Sequence, residues 1–93
     1  MSRFRPEDKL SRAPQMISTD LDQETVLMSI DAGAYYGLAG PAQRIWEELG
    51  TPVTFSSLIE RLVAAYNVTP ETCTADVEKF LAVLEREGLL HVE

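Results

Sequence analysis

A chain of 93 residues, 45% of them hydrophobic, has room for one small domain with one core and does not have the composition of a disordered protein. Its 15 acidic residues against 8 lysines and arginines give a formal charge of −7, which disfavours nucleic acid and anionic membrane as partners and favours basic or apolar ones. The single cysteine, Cys73, excludes an internal disulfide and fits a reducing cytoplasm. No apolar run is long enough for a secretory signal or a membrane span.

The first segment of the chain is polar and rich in charge. Residues 1–13 mix basic and acidic side chains, and Pro6 and Pro14 discourage regular structure there. We therefore predict a mobile tail at residues 1–13, followed by one domain at residues 14–93.

Three strand-like segments follow. They are QMIST at residues 15–19, ETVLMSIDA at residues 24–32 and AYYGLA at residues 34–39, separated by the turn signals LDQE and DAG. Connections this short predict an antiparallel meander of three strands. In the second strand Val26, Met28 and Ile30 share one face, and Leu27, Ser29 and Asp31 share the other.

The third strand has the most unusual composition. Tyr36 and Leu38 share the face that we expect to meet the helices, and Tyr35 and Gly37 point the other way. If this strand lies at the edge of the sheet, its free backbone groups can pair with a further strand.

From Gly40 onward the apolar residues recur with the period of a helix. Gly40 and Pro41 open a first helix that carries Ile45, Trp46 and Leu49 and ends at Gly50. TPVT at residues 51–54 is predicted as a loop. Thr54 and Thr69 are predicted to cap the second and third helices, with Asn67 as a left-handed stop and Gly88 as the end of the third. The predicted fold class is therefore α+β, a winged helix-turn-helix-like arrangement in which a three-stranded antiparallel sheet precedes three helices.

Residues that carry catalysis or bind metals are sparse. The only histidine, His91, lies near the C-terminus, and Cys73 falls on an apolar helical stripe, where burial is expected rather than nucleophilic chemistry. Metal-binding, phosphate-binding and dinucleotide-binding motifs are absent from the sequence. We therefore predict a binding module with no catalytic residues, no metal and no cofactor.

The predicted shape also fits a winged-helix transcription regulator. Between Pro70 and Glu87 the third helix carries five acidic and two basic residues, a formal charge of −3, which argues against DNA recognition. A structural domain that pairs its open edge with a second copy of itself is a further alternative.

Four pieces of the sequence, in order, resemble the PqqD-like family, also called the RiPP recognition element after the ribosomally synthesised, post-translationally modified peptides that it serves. The resemblance covers about Val26 to Leu90. It is carried by Gly33, Tyr35, Tyr36 and Leu38, then Ile45, Trp46 and Leu49, then Tyr66, Asn67 and Val68, and finally Asp76, Val77, Phe80, Leu81, Leu84, Gly88, Leu89 and Leu90.

The resemblance implies a cytoplasmic, non-catalytic domain that binds the leader segment of a precursor peptide. In the family the leader adds as a strand to the third strand and lies against the third helix. The implied peptide-binding residues are Ala34, Tyr35, Tyr36, Gly37, Leu38, Asp76, Val77, Phe80, Leu81 and Leu84. The chain most resembles the stand-alone type of lasso peptide biosynthesis, which delivers the leader to a separate processing enzyme, a leader peptidase or other maturase. The alternative within the family is a peptide chaperone of pyrroloquinoline quinone biosynthesis.

Overall fold

The computed structural model describes residues 4–14, 16–21, 24–29 and 33–93. Within these residues the elements, in chain order, are the strands β1 (Lys9–Arg12), β2 (Met16–Leu21), β3 (Glu24–Ser29) and β4 (Ala34–Ala39), helix α1 (Pro41–Glu48), strand β5 (Val53–Thr54), helices α2 (Phe55–Tyr66) and α3 (Pro70–Arg86), and strand β6 (Leu90–Val92). Predictions made for residues 1–3, 15, 22–23 and 30–32, which include Ile30, Asp31 and most of the two predicted turns, lie outside the described residues.

The predicted antiparallel meander is confirmed. β2, β3 and β4 form a sheet in that order, with Leu27 opposite Tyr36 and Met28 opposite Tyr35. Alternation along the strands places Leu27 and Leu38 in the core, whereas Tyr35 is 71% exposed on the outer face. The α+β class therefore holds, and among the described residues β4 lies at the edge of this sheet, which the sequence had left open.

A second sheet, with order β5-β1-β6, was not predicted. Its central strand, β1, lies inside the segment predicted as a mobile tail, so the predicted boundary between tail and domain is wrong for residues 4–13. Leu10 is 0% and Phe4 3% exposed, and Leu10 lies opposite both Val53 and Val92. β5 also replaces the end of the predicted loop at residues 51–54, because its two residues pair with β1.

The helix ends follow the local signals in the sequence. The Thr54 hydroxyl accepts a hydrogen bond from the Ser57 backbone N–H at 3.2 Å, and the Thr69 hydroxyl accepts one from Thr72 at 3.3 Å. Asn67 adopts the left-handed conformation, with φ of 51°, and ends α2 as predicted. The three helices therefore begin and end where the capping residues predict, within one or two residues.

Trp46 of α1 connects the helices to the second sheet. Its ring is buried, and the guanidinium carbon of Arg12 lies 4.7 Å from the ring centroid. Arg12 also donates two hydrogen bonds to the backbone carbonyl of Trp46, at 2.8 and 3.1 Å. These contacts hold β1 against α1 and explain why the N-terminal segment is part of the folded domain.

Candidate functional site

The open edge of β4 is the first component of the site. Among the described residues β4 pairs with β3 alone, so its other side carries backbone N–H and C=O groups without a strand partner. The strand contains no proline and no charged residue, the usual features that protect an edge from pairing. The Glu24 side chain of β3 occupies the space where a Cβ atom would stand at Gly37, so a larger residue there would displace that side chain.

An apolar cavity of about 360 Å³ lies beyond the C-terminal end of β4. All three helices and the segment after α2 contribute to its wall, which includes Pro41, Ala42, Leu62, Tyr66, Val77 and Phe80. Asp76 also lines it and supplies a carboxylate. A cavity of this size and composition can bury one or two apolar side chains of a partner.

A hydrogen bond joins β4 to α3 at the opposite end of the helix. The Tyr36 hydroxyl donates to Glu87 Oε2 at 2.7 Å, across 51 residues of sequence. This bond is the main cause of the raised pKa of Tyr36, and burial and the Glu87 charge raise that pKa further. We use the term β4–α3 cleft for the region bounded by this bond, the free edge of β4 and the cavity.

The predicted site residues divide into three groups. Asp76, Val77 and Phe80 line the cavity. Ala34 to Leu38 form the edge strand, with Tyr35 exposed on the outer face and Tyr36 and Leu38 directed inward. Leu81 and Leu84 are 0% and 2% exposed and belong to the core, and their contact with a bound peptide stays a prediction.

The part of the cavity wall that comes from α1 and α2 was not predicted from the sequence. Tyr66 and Val68 flank the end of α2 and are exposed large apolar residues, which is the signal that could have identified them. Glu87 was missed as well, because its partner Tyr36 is distant in the sequence.

The chemistry of the two groups singled out from the sequence fits structural roles. Cys73 is buried at the cavity wall, and burial, together with the nearby Asp76 charge, raises the pKa of its thiol, so the thiol form is favoured. His91 is exposed on β6. The described residues contain no group of three or more His, Cys, Asp or Glu side chains that could hold a metal ion. None of the helices in the described ranges has the length and hydropathy to cross a bilayer.

Comparison with known proteins agrees with this geometry. The family described as coenzyme PQQ synthesis protein D (PqqD) matches residues 24–90, which run from β3 to the start of β6. Among solved structures, TbiB1 in complex with the TbiA(beta) leader peptide is 29% identical to this chain, with a TM-score of 0.76 over 85% of this chain and 93% of TbiB1. A search of curated proteins found no significant match. The chain is therefore a member of the PqqD family of RiPP recognition elements.

Proposed function

We propose that this chain binds the leader segment of a ribosomally synthesised precursor peptide as a strand added to β4. The observation that carries the proposal is the open edge of β4 beside an apolar cavity, in a chain similar to a protein solved with a leader peptide. Backbone hydrogen bonds to β4 supply affinity that depends little on sequence, and side chains that enter the cavity supply selectivity.

The cavity supports an apolar anchor in the leader. Phe80 and Val77 on α3 line the cavity together with Pro41 and Ala42 on α1. Burying one large apolar side chain there contributes roughly 1.5–3 kcal/mol. Together with the strand pairing, this is consistent with an affinity in the micromolar range or tighter, about −8 kcal/mol.

The proposed role is recognition, with the chemistry performed by a separate processing enzyme. Of the lasso peptide and quinone-cofactor pathways, the similarity to TbiB1 favours the stand-alone type that serves a leader peptidase, and the description of the matched family keeps the quinone pathway as the rival. A leader peptidase from the same gene cluster should cut the precursor faster in the presence of this chain.

Binding is tested by titrating the chain into fluorescently labelled peptides. The probes are the TbiA(beta) leader peptide, the precursor of pyrroloquinoline quinone and the precursor peptides encoded beside the gene of this chain, each with a scrambled control. We expect at least one leader to bind with a dissociation constant of about 1 μM or tighter, and its scrambled control to bind at least tenfold more weakly. If no leader binds at protein concentrations of tens of micromolar, roughly the weakest affinity expected of strand addition, the proposal is wrong.

A further inference from the structure

The end of the β4–α3 cleft that lies opposite the cavity carries a fixed carboxylate. Glu87 caps the C-terminus of α3, and the Tyr36 hydroxyl on β4 holds its Oε2 atom at 2.7 Å. A carboxylate that accepts one hydrogen bond keeps further acceptor positions on both oxygens. The hydrogen bond from Tyr36 therefore fixes the orientation of the Glu87 carboxylate relative to β4, the strand with which a bound peptide would pair. The carboxylate can still accept a hydrogen bond from another donor.

The electrostatic surroundings make this end of the cleft suitable for a cation. The C-terminus of a helix carries about half a negative charge from its aligned peptide dipoles, so Glu87 adds to a potential that is already negative. Glu87 forms an ion pair with Arg86, whose Nε lies 3.7 Å from Glu87 Oε1. Arg86 is 72% exposed, and an exposed pair at this distance contributes little, so a better placed cation can replace it. The raised pKa of Tyr36 keeps its hydroxyl protonated as the donor that orients Glu87.

We infer that Glu87, positioned by Tyr36, is a specificity-determining residue that selects a lysine or arginine side chain in the bound peptide. This inference rests on the proposed function, because it needs a peptide in the cleft. It differs from a general preference of the acidic surface for basic peptides, since it assigns the selection to one carboxylate and to one position of the peptide.

The helix geometry gives the spacing of that position. Phe80 at the cavity and Glu87 are seven residues apart on one side of α3, which is about 10 Å along the helix axis. An extended peptide advances about 3.3 Å per residue. Side chains of an extended peptide alternate between its two faces, so residues that face the same side are two or four positions apart. The selected basic residue should therefore stand about two or four residues from the apolar residue that fills the cavity.

The test does not require the natural leader to be known. A phage-displayed library of random dodecapeptides is selected on the parent chain and on Glu87→Gln, Tyr36→Phe and Glu60→Gln. Glu60 is the matched control, because it is an exposed carboxylate on α2 and its replacement removes the same charge elsewhere. Thermal melting confirms that each variant is folded before selection.

We expect peptides selected on the parent chain to share an apolar residue and, about two or four residues away, a lysine or arginine. Glu87→Gln should keep the apolar preference and lose the basic one, Tyr36→Phe should weaken the basic preference, and Glu60→Gln should leave both unchanged. In a selected peptide, replacing the basic residue by glutamine should weaken binding to the parent about tenfold and binding to Glu87→Gln less than twofold.

The possible failures are distinguishable. An apolar preference without a basic one, or a basic preference that survives in Glu87→Gln, overturns the assignment to Glu87 and leaves peptide binding intact. Loss of the basic preference in Glu60→Gln shows an effect of overall charge and also overturns it. If the library yields no binding peptide on the parent chain, and no leader binds either, the inference and the proposed function are both wrong.

Discussion

Replacing Phe80 or Leu81 by alanine should separate peptide binding from folding. The two residues are neighbours on α3, yet Phe80 is half-buried at the cavity wall and Leu81 is fully buried in the core. Phe80→Ala should therefore lower the affinity for peptide at little cost in stability. Leu81→Ala should mainly lower the free energy of unfolding.

The magnitudes follow from what each side chain contacts. Truncating a fully buried leucine costs about 2–5 kcal/mol in unfolding free energy, because it loses transfer energy and leaves a closed cavity. In a domain of this size each kcal/mol lowers the melting temperature by about 4–8 °C, so Leu81→Ala should melt at least about 8 °C below the parent. Phe80→Ala enlarges a cavity that is already open, and its cost should be about 1 kcal/mol. Its loss of peptide affinity should be about tenfold or more, as for an aromatic residue at the centre of an interface.

Two measurements on each variant test this prediction. Circular dichroism gives the melting temperature, and fluorescence anisotropy with a labelled peptide that binds the parent gives the affinity, at a temperature where every variant is folded. Lys79→Ala is the control, because Lys79 is an exposed neighbour on the same helix, and both of its values should stay close to those of the parent. Unchanged affinity in Phe80→Ala would show that the cavity is not part of the peptide site. A melting temperature of Leu81→Ala equal to that of the parent would refute the assignment of this residue to the core.

Three further predictions concern the sheets and their contacts. Proline introduced in turn at each position from Tyr35 to Leu38 should give two kinds of variant at alternating positions. Variants at one pair of positions should stay folded but bind peptide weakly, and variants at the other pair should lose the sheet. Equal behaviour of all four variants would contradict the edge position of β4. Arg12→Ala should lower the unfolding free energy by roughly 1–3 kcal/mol, because two hydrogen bonds to the Trp46 carbonyl and a ring contact are lost. Arg12→Lys should recover part of this loss. An unchanged melting curve of Arg12→Ala would refute the role of these contacts. Folding raises the pKa of Tyr36, so the protonated hydroxyl stabilises the folded state. This contribution of Tyr36 to the free energy of unfolding is complete below about pH 10, and it is lost as the pH rises through the higher pKa of the folded state. The stability difference between the parent and Tyr36→Phe should therefore shrink above about pH 10, and a constant difference in denaturant titrations would contradict the role of the bond to Glu87.

The features that sequence predicted correctly are those with local causes. Thr54, Thr69 and Asn67 set helix ends through hydrogen bonds and dihedral angles within three or four residues, so their roles could be inferred from type and position. The alternation in AYYGLA likewise assigned Tyr36 and Leu38 to the inner face, as observed.

The features that sequence did not predict depend on contacts between distant segments. β1 contains one buried apolar residue, Leu10, and becomes a strand because Val53 and Val92 flank it from positions more than 40 residues away. The apolar stripe of α3 likewise cannot show which of its residues face the core and which face the cavity, since that depends on where α1 and α2 lie. Leu81 was therefore assigned to the peptide site together with Phe80, although only Phe80 lines the cavity.

The central claim, strand addition to β4, is tested most directly by residue-resolved amide hydrogen exchange with and without a bound peptide. Within the described part of the free protein, one alternating set of β4 amides has no strand partner and should exchange fast, whereas bound peptide should slow this set about tenfold or more as new hydrogen bonds form. β2, the other edge of the same sheet, serves as the internal control, and exchange of its amides should not change. Unchanged exchange throughout β4 with peptide bound, or slowing confined to β2, would contradict the claim.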